Sequence, residues 1–159
     1  MTRMDAMRER ALDSRPAVAI SRRVLPRADV LLQRLSHGRW SASAATGVRV
    51  ALLTTTGRRS GLPRVAPVTY VEYDGAYFVV GSNWTRDVDP AWSFNLTADP
   101  AAWLELRGRR FPVTARGIVG AERERVWPRL VERWPLYGSS ARRTARELPV
   151  FRLDPVERG

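Results

Sequence analysis

Paired strand signals around tight turns limit this chain more than any other feature. Asp74-Gly75 separates a run at 64–73 (RVAPVTYVEY) from one at 76–82 (AYFVVGS). Arg107-Gly108-Arg109 separates 102–106 (AWLEL) from 110–119 (RFPVTARGIV). The runs are rich in β-branched and aromatic residues, and a short Gly turn between two such runs specifies an antiparallel hairpin. Further strands are expected at 48–55 (VRVALLTT), which turns through GRRSGLP, and at 150–153. No regular alternation of strand and helix runs through the chain, so a parallel βαβ sheet is excluded. The expected class is mainly β with peripheral helices, a small antiparallel barrel.

The helical signals lie around these hairpins. Pro90 opens a short helix, PAWSFNLTA, that Asp99-Pro100 ends. From Gly120 onward Val126, Trp127, Leu130, Val131 and Trp134 recur at a 3.6 period, with Glu122 and Glu124 near the start, where they suit the helix dipole. A further short helix is expected at about 139–147. Upstream, 17–36 carries an apolar stripe of Ile20, Val24, Ala28, Leu31 and Leu35 beside Arg23, Arg27 and Arg34, interrupted by Pro26. That layout suits a helix that packs on the barrel or lids the substrate pocket, or one lying on an anionic membrane surface. The small polar stretch 36–47 reads as a linker. The 159 residues therefore divide into an N-terminal helical extension and linker, 1–47, and a barrel domain, 48–155.

Missing residue types narrow the chemistry. There is no Cys, which removes disulfides, thiolate metal sites and cysteine nucleophiles and fits a cytoplasmic protein. Every one of the 27 basic residues counted as Lys+Arg is Arg. A P-loop lysine and a Schiff-base lysine are thus excluded. His37 is the single His, so no His-rich metal site can form, and no metal ligand set is expected. No apolar run approaches the ~20 residues of a membrane span, and no secretory signal opens the chain. The formal net charge of +11 favours anionic partners.

Three segments concentrate the remaining possibilities. TTTGRRSGLPR, 54–64, places Arg58, Arg59 and Arg64 around a Gly-containing turn, with hydroxyls from Thr56 and Ser60. Between 47 and 71 there are four Arg and no acidic residue. Such a turn either grips a phosphate or carboxylate or is a solvated hairpin tip. GSNWTRDVDPAWSFNL, 81–96, joins a strand end to a Pro-initiated helix bearing Trp92 and Asn95. It either frames a planar ring or contributes to the core, where the amide of Asn95 must find partners. WPLYGSSARRTARELPV, 134–150, brings Trp134 and Tyr137 before Arg142, Arg143 and Arg146. Tyr137 either supplies a proton or packs.

Taken together, LLTTTGRRSGLPRVAPVTYV, VVGSN…DPAWSFNLTADP and ERVWPRLVERWPLYG…RRTARELPV resemble the deazaflavin-dependent nitroreductase family over roughly 48–154. These are actinobacterial flavin/deazaflavin oxidoreductases related to the pyridoxamine-phosphate-oxidase-like split barrels. The resemblance implies a split β-barrel and coenzyme F-420, a deazaflavin with a phospholactyl-oligoglutamate tail. It implies that Arg58, Arg59, Ser60 and Arg64 hold the anionic tail. Val65, Ala66, Pro67, Val68 and Thr69 would line the ring from one strand, and Val80, Gly81, Ser82 and Asn83 from another. Ala91, Trp92 and Asn95 would close the far side. Thr69, Trp134, Tyr137 and Ser140 would face the substrate. Asn83 and Ala91 depart from the Lys and Met frequent in the family.

The activity so implied is hydride transfer from the reduced deazaflavin to an electrophilic small molecule: a quinone, an enone or a nitro compound. Tyr137 first, and Ser82 second, would hydrogen-bond or protonate the acceptor oxygen. FMN is the alternative cofactor, since its phosphate would also suit Arg58 and Arg64; haem would need His37 as its axial ligand. A non-enzymatic basic module binding nucleic acid ranks last, because no nucleic-acid motif accompanies the charge. The expected location is the cytoplasm, with peripheral contact at the inner membrane face if 17–36 meets lipid.

Overall fold

The computed structural model describes residues 49–83 and 86–157. Six strands close into one antiparallel barrel: β1 (Val50–Thr56), β2 (Pro63–Tyr73), β3 (Ala76–Val80), β4 (Ala101–Leu106), β5 (Arg109–Gly117) and β6 (Val150–Pro155). Their order around the barrel is β1-β2-β3-β6-β5-β4, and β1 closes it against β4. Both expected hairpins form. Asp74 and Gly75 have φ of 52° and 68°, and Arg107 and Gly108 have 48° and 77°. Two successive left-handed residues match the twist of the flanking strands. The stretch 17–36 and the linker lie outside the described residues.

Strand alternation divides the apolar residues into two clusters. Ala51, Leu53, Val68, Tyr70, Val79, Leu104, Val113, Phe151 and Leu153 point inward and fill the barrel. Val71, Phe78, Val80 and Val150 point outward from β2, β3 and β6. The second set is covered by α2 (Gly120–Arg133) and α3 (Leu136–Arg142), which contribute Leu130 and Tyr137. Val126, Trp127, Val131 and Trp134 pack at the edge of that cluster, as their 3.6 period requires. The start of α2 is fixed to the barrel by two hydrogen bonds from Arg116 to the carboxylate of Glu122, at 2.6 and 2.9 Å. That bond holds the Glu122 carboxyl below its ordinary pKa.

Helix α1 (Ala91–Ala98) plugs one end of the barrel with Trp92 and Leu96. Trp92 meets Phe151 edge-on, with ring centroids 5.9 Å apart. The short helix expected at 139–147 lies instead at Leu136–Arg142. Pro135 explains the shift: its backbone is already helical, so the helix begins at once, and it buries Tyr137 in its first turn. The final strand also runs to Pro155, two residues further than expected, because it pairs with β5 through Val113.

Candidate functional site

The cationic turn between β1 and β2 is rigidly built. Gly57 donates its N–H to the Leu62 carbonyl at 2.8 Å and accepts from the Gly61 N–H at 2.7 Å. A Cβ at Gly57 would lie 2.7 Å from Ser60 Oγ and 3.1 Å from the Leu62 carbonyl oxygen, and Gly61 has φ +67°, the left-handed region that favours Gly. Below the turn, the Asn95 amide makes two bonds. Its Oδ1 accepts from the Arg58 N–H at 3.1 Å, and its Nδ2 donates to Thr55 Oγ1 at 3.0 Å. Asn95 is 5% exposed and Thr55 2%. The buried amide thus finds its partners within the fold and sets the backbone of the turn.

The side chains above that backbone face solvent. The Arg58 guanidinium stacks on the Phe94 ring at 4.8 Å. Arg64 Nη2 donates to Ser60 Oγ at 3.4 Å. Among the described residues no carboxylate forms an ion pair with Arg58, Arg59 or Arg64. Three guanidiniums on one turn without carboxylate partners attract an anion with several oxygens.

The strip proposed for the ring divides by strand face. Val68 points into the barrel core, with Ala66 packed against it, while Val65, Pro67 and Thr69 form a half-buried outer strip on β2. Val80 is packed under the helices. Gly81 lies where a Cβ would come 2.6 Å from Pro149 Cγ, and its N–H bonds the Pro149 carbonyl at 2.8 Å. Ser82 is half-buried, and Asn83 takes φ +44° while its Nδ2 donates to the Val88 carbonyl at 2.8 Å. Ala91 is exposed at the start of α1, whereas Trp92 belongs to the barrel core.

One residue that shapes the loop after β3 escaped sequence reasoning. Arg146 clasps the loop that follows β3. Its Nη2 donates to the Gly81 and Ser82 carbonyls at 2.9 and 3.1 Å, and its Nε to the Arg86 carbonyl at 3.0 Å. Nη1 pairs with the Asp89 carboxylate. These contacts bridge some 57 to 65 positions of sequence, so no local pattern announces them. The sequence marked Arg146 only as one of three Arg in a basic segment.

The residues expected to face a substrate gather at the junction of α2 and α3. Tyr137 is 1% exposed, and its hydroxyl donates to the Thr69 carbonyl at 3.2 Å. Burial pushes its pKa up to about 12. Trp134 and Ser140 are half-buried. Beside them opens a cavity of about 210 Å³ lined by Arg49, Thr69, Tyr70, Val71, Glu72, Arg133 and Trp134. Thr69 and Trp134 therefore line it, whereas Tyr137 stands behind its wall. Among the described residues no cluster of His, Asp or Glu could hold a metal ion, and no helix is long and apolar enough to cross a membrane.

A closed six-stranded barrel, with an uncompensated cationic turn at one end and a half-buried strip beside it, is a cofactor-binding split barrel whose seat suits an acidic tail. Comparison with known proteins agrees. The family model for the F420H(2)-dependent quinone reductase matches residues 25–155, and the chain belongs to that family. It is 33% identical over 108 residues to the F420H(2)-dependent quinone reductase Rv1261c of Mycobacterium tuberculosis, covering 64% of this chain and 70% of that one. The solved structure of an F420-H2 dependent reductase, FDR-A, superposes with a TM-score of 0.61 at 36% identity, covering 67% of this chain and 94% of that one. HutZ, a haem storage protein of Vibrio cholerae, shares the fold alone, at 19% identity and a TM-score of 0.52 over 79% of this chain and 89% of that one.

The chain is accordingly an oxidoreductase of the deazaflavin kind, with coenzyme F-420 as its cofactor. The donor set fits that group: a lysine-free triad of exposed Arg, a serine hydroxyl and a backbone turn answer a phosphate and a run of carboxylates.

Proposed function

We propose that this protein reduces a quinone with reduced coenzyme F-420, gripping the anionic tail with Arg58, Arg59, Ser60 and Arg64. The observation that carries this reading is the triad of Arg without carboxylate partners, on a turn whose backbone is held by Asn95. The coenzyme, when bound, supplies a hydride, which with one proton takes a quinone to its hydroquinone. Enones and nitro compounds are electrophiles of the same general kind and belong to the same acceptor screen.

The chain's own residues bind and orient. The outer strip Val65, Pro67 and Thr69 offers a half-buried surface for a flat ring. Arg146 holds Gly81 and Ser82 at the end of β3 in one conformation. Tyr137 keeps Thr69 in register from behind, with its proton already engaged on a carbonyl. Ser82 is half-buried and is the more accessible of the two hydroxyls named for assisting the acceptor oxygen.

Titration with oxidised coenzyme F-420 beside FMN, followed by a screen of quinone, enone and nitro acceptors, tests the reading. Preferential binding of FMN, or turnover confined to nitro compounds, would overturn it. For 17–36, co-sedimentation with anionic vesicles tests the membrane seat of the stripe. Salt-sensitive binding that disappears on deleting 1–36 assigns the stripe to the bilayer; equal binding by the truncated protein assigns it to the general excess of Arg; no binding overturns the membrane seat.

A further inference from the structure

We propose that the cavity between β2 and the end of α2 selects a hydride acceptor bearing an anionic substituent, such as a carboxylate or sulfonate, through Arg133 and Arg49. The proposal rests on the function given above and names the substrate class of that same site.

Thr69 joins the outer strip to the cavity. It belongs to the outer strip that suits a ring, and it also lines the cavity. A molecule placed there would meet the Trp134 side chain and a polar wall with three charged groups, Arg49, Glu72 and Arg133. Their sum is one net positive charge. Arg133 closes the last turn of α2 and has no carboxylate partner among the described residues. Arg49 reaches Glu72 only at 4.0 Å, with both side chains more than half exposed. So loose a pair neutralises little in water and leaves the Arg49 fork open to a better anion.

Size points the same way. At about 210 Å³ the cavity is smaller than the ~300 Å³ at which ligand pockets usually begin. It suits the substituted head of an acceptor and not a long apolar tail. The charged wall would also have to desolvate against such a tail, which is unfavourable.

The experiment compares two acceptors, 1,4-naphthoquinone-2-sulfonate and neutral 2-methyl-1,4-naphthoquinone, with the wild type, Arg133→Gln and Glu72→Gln. The expected result is a lower KM for the sulfonate in the wild type, with the advantage shrinking as salt is added. Arg133→Gln should raise the sulfonate KM about three- to tenfold, the range between an exposed pair and a charged hydrogen bond, and leave the neutral quinone within about twofold. Glu72→Gln should lower the sulfonate KM. Calorimetry supplies a readout without turnover: with the cationic turn filled by oxidised coenzyme F-420, naphthalene-2-sulfonate should bind more weakly after Arg133→Gln. Equal effects of Arg133→Gln on both quinones, or none on either, would overturn the proposal while leaving quinone reduction standing. No turnover of either quinone by the wild type would instead overturn the reading on which it rests.

Discussion

At the scale of single residues, Asn95 shows how far a buried polar group could be read in advance. Its amide was bound to need partners, and the helical spacing of α1 placed it inward. Which partners it takes depends on chain closure, since Thr55 and Arg58 lie some 40 and 37 positions away. Asn95→Ala would leave the Thr55 hydroxyl and the Arg58 N–H without those partners. A loss of about 1–3 kcal/mol in chemical denaturation is expected. Coenzyme affinity should fall as well, because the turn loses its support. Arg58→Ala and Arg64→Ala should act differently, each weakening coenzyme binding by about 1.5–3 kcal/mol with little change in stability. A coenzyme stripped of its glutamates should show a smaller loss in fluorescence titration. Tyr137 was less legible. Its position after Trp134-Pro135 was plain, but a lone Tyr gives no sign of whether its hydroxyl is wet or sealed beneath a strand. Because that hydroxyl meets the Thr69 carbonyl, Tyr137→Phe should cost about 1 kcal/mol of stability.

Among the elements, both Gly-turn hairpins were readable because their turn chemistry is local: two left-handed residues, flanked by alternating strands. The face assignment within β2 was not. Period-2 alternation separates Val65, Pro67 and Thr69 from Ala66 and Val68, yet only the closed barrel says which set looks inward. Helix α3 moved three residues earlier than expected for an equally local reason, the helical backbone of Pro135. The loop after β3 depends on distant chain. Arg146→Ala removes the donor to the carbonyls of Gly81, Ser82 and Arg86. Amide exchange should then quicken at 81–83 and 86–89, while β1, β4 and β5 keep their protection. Arg146→Lys should restore only part of it, since a point charge cannot reproduce a fork. Uniformly faster exchange across the barrel would show that Arg146 supports the fold at large.

For the molecule as a whole, the barrel class and its peripheral helices were legible, whereas the order of strands was not. The pairing of β3 with β6, and of β1 with β4, joins segments that carry no mutual signal. The intact protein also makes a prediction at high pH. Tyr137 has its pKa raised from 10.0 to about 12 by burial. Its folded value lies above the unfolded one, so its contribution is complete below pH 10 and is lost as pH rises towards 12. Tyr77 is raised by burial too and acts in the same sense. Denaturation between about pH 9 and 12 should show stability falling, and Tyr137→Phe should flatten that fall. An unchanged slope in the variant would mean that other groups govern alkaline unfolding.

The clasp at Arg146 has a consequence on the timescale of descent. Three of its four acceptors are main-chain carbonyls, which every amino acid supplies; Asp89 alone contributes a side chain. The grip is therefore blind to what the loop carries. Lineages that keep Arg146 and Asp89 can exchange the exposed Asp87 or Val88 without altering the path of the chain. Shape is inherited separately from surface chemistry, and the loop's surface can change by point substitution at little structural risk. A library randomised at 87 and 88 should keep the loop's protection from amide exchange, while one randomised at 146 should lose it.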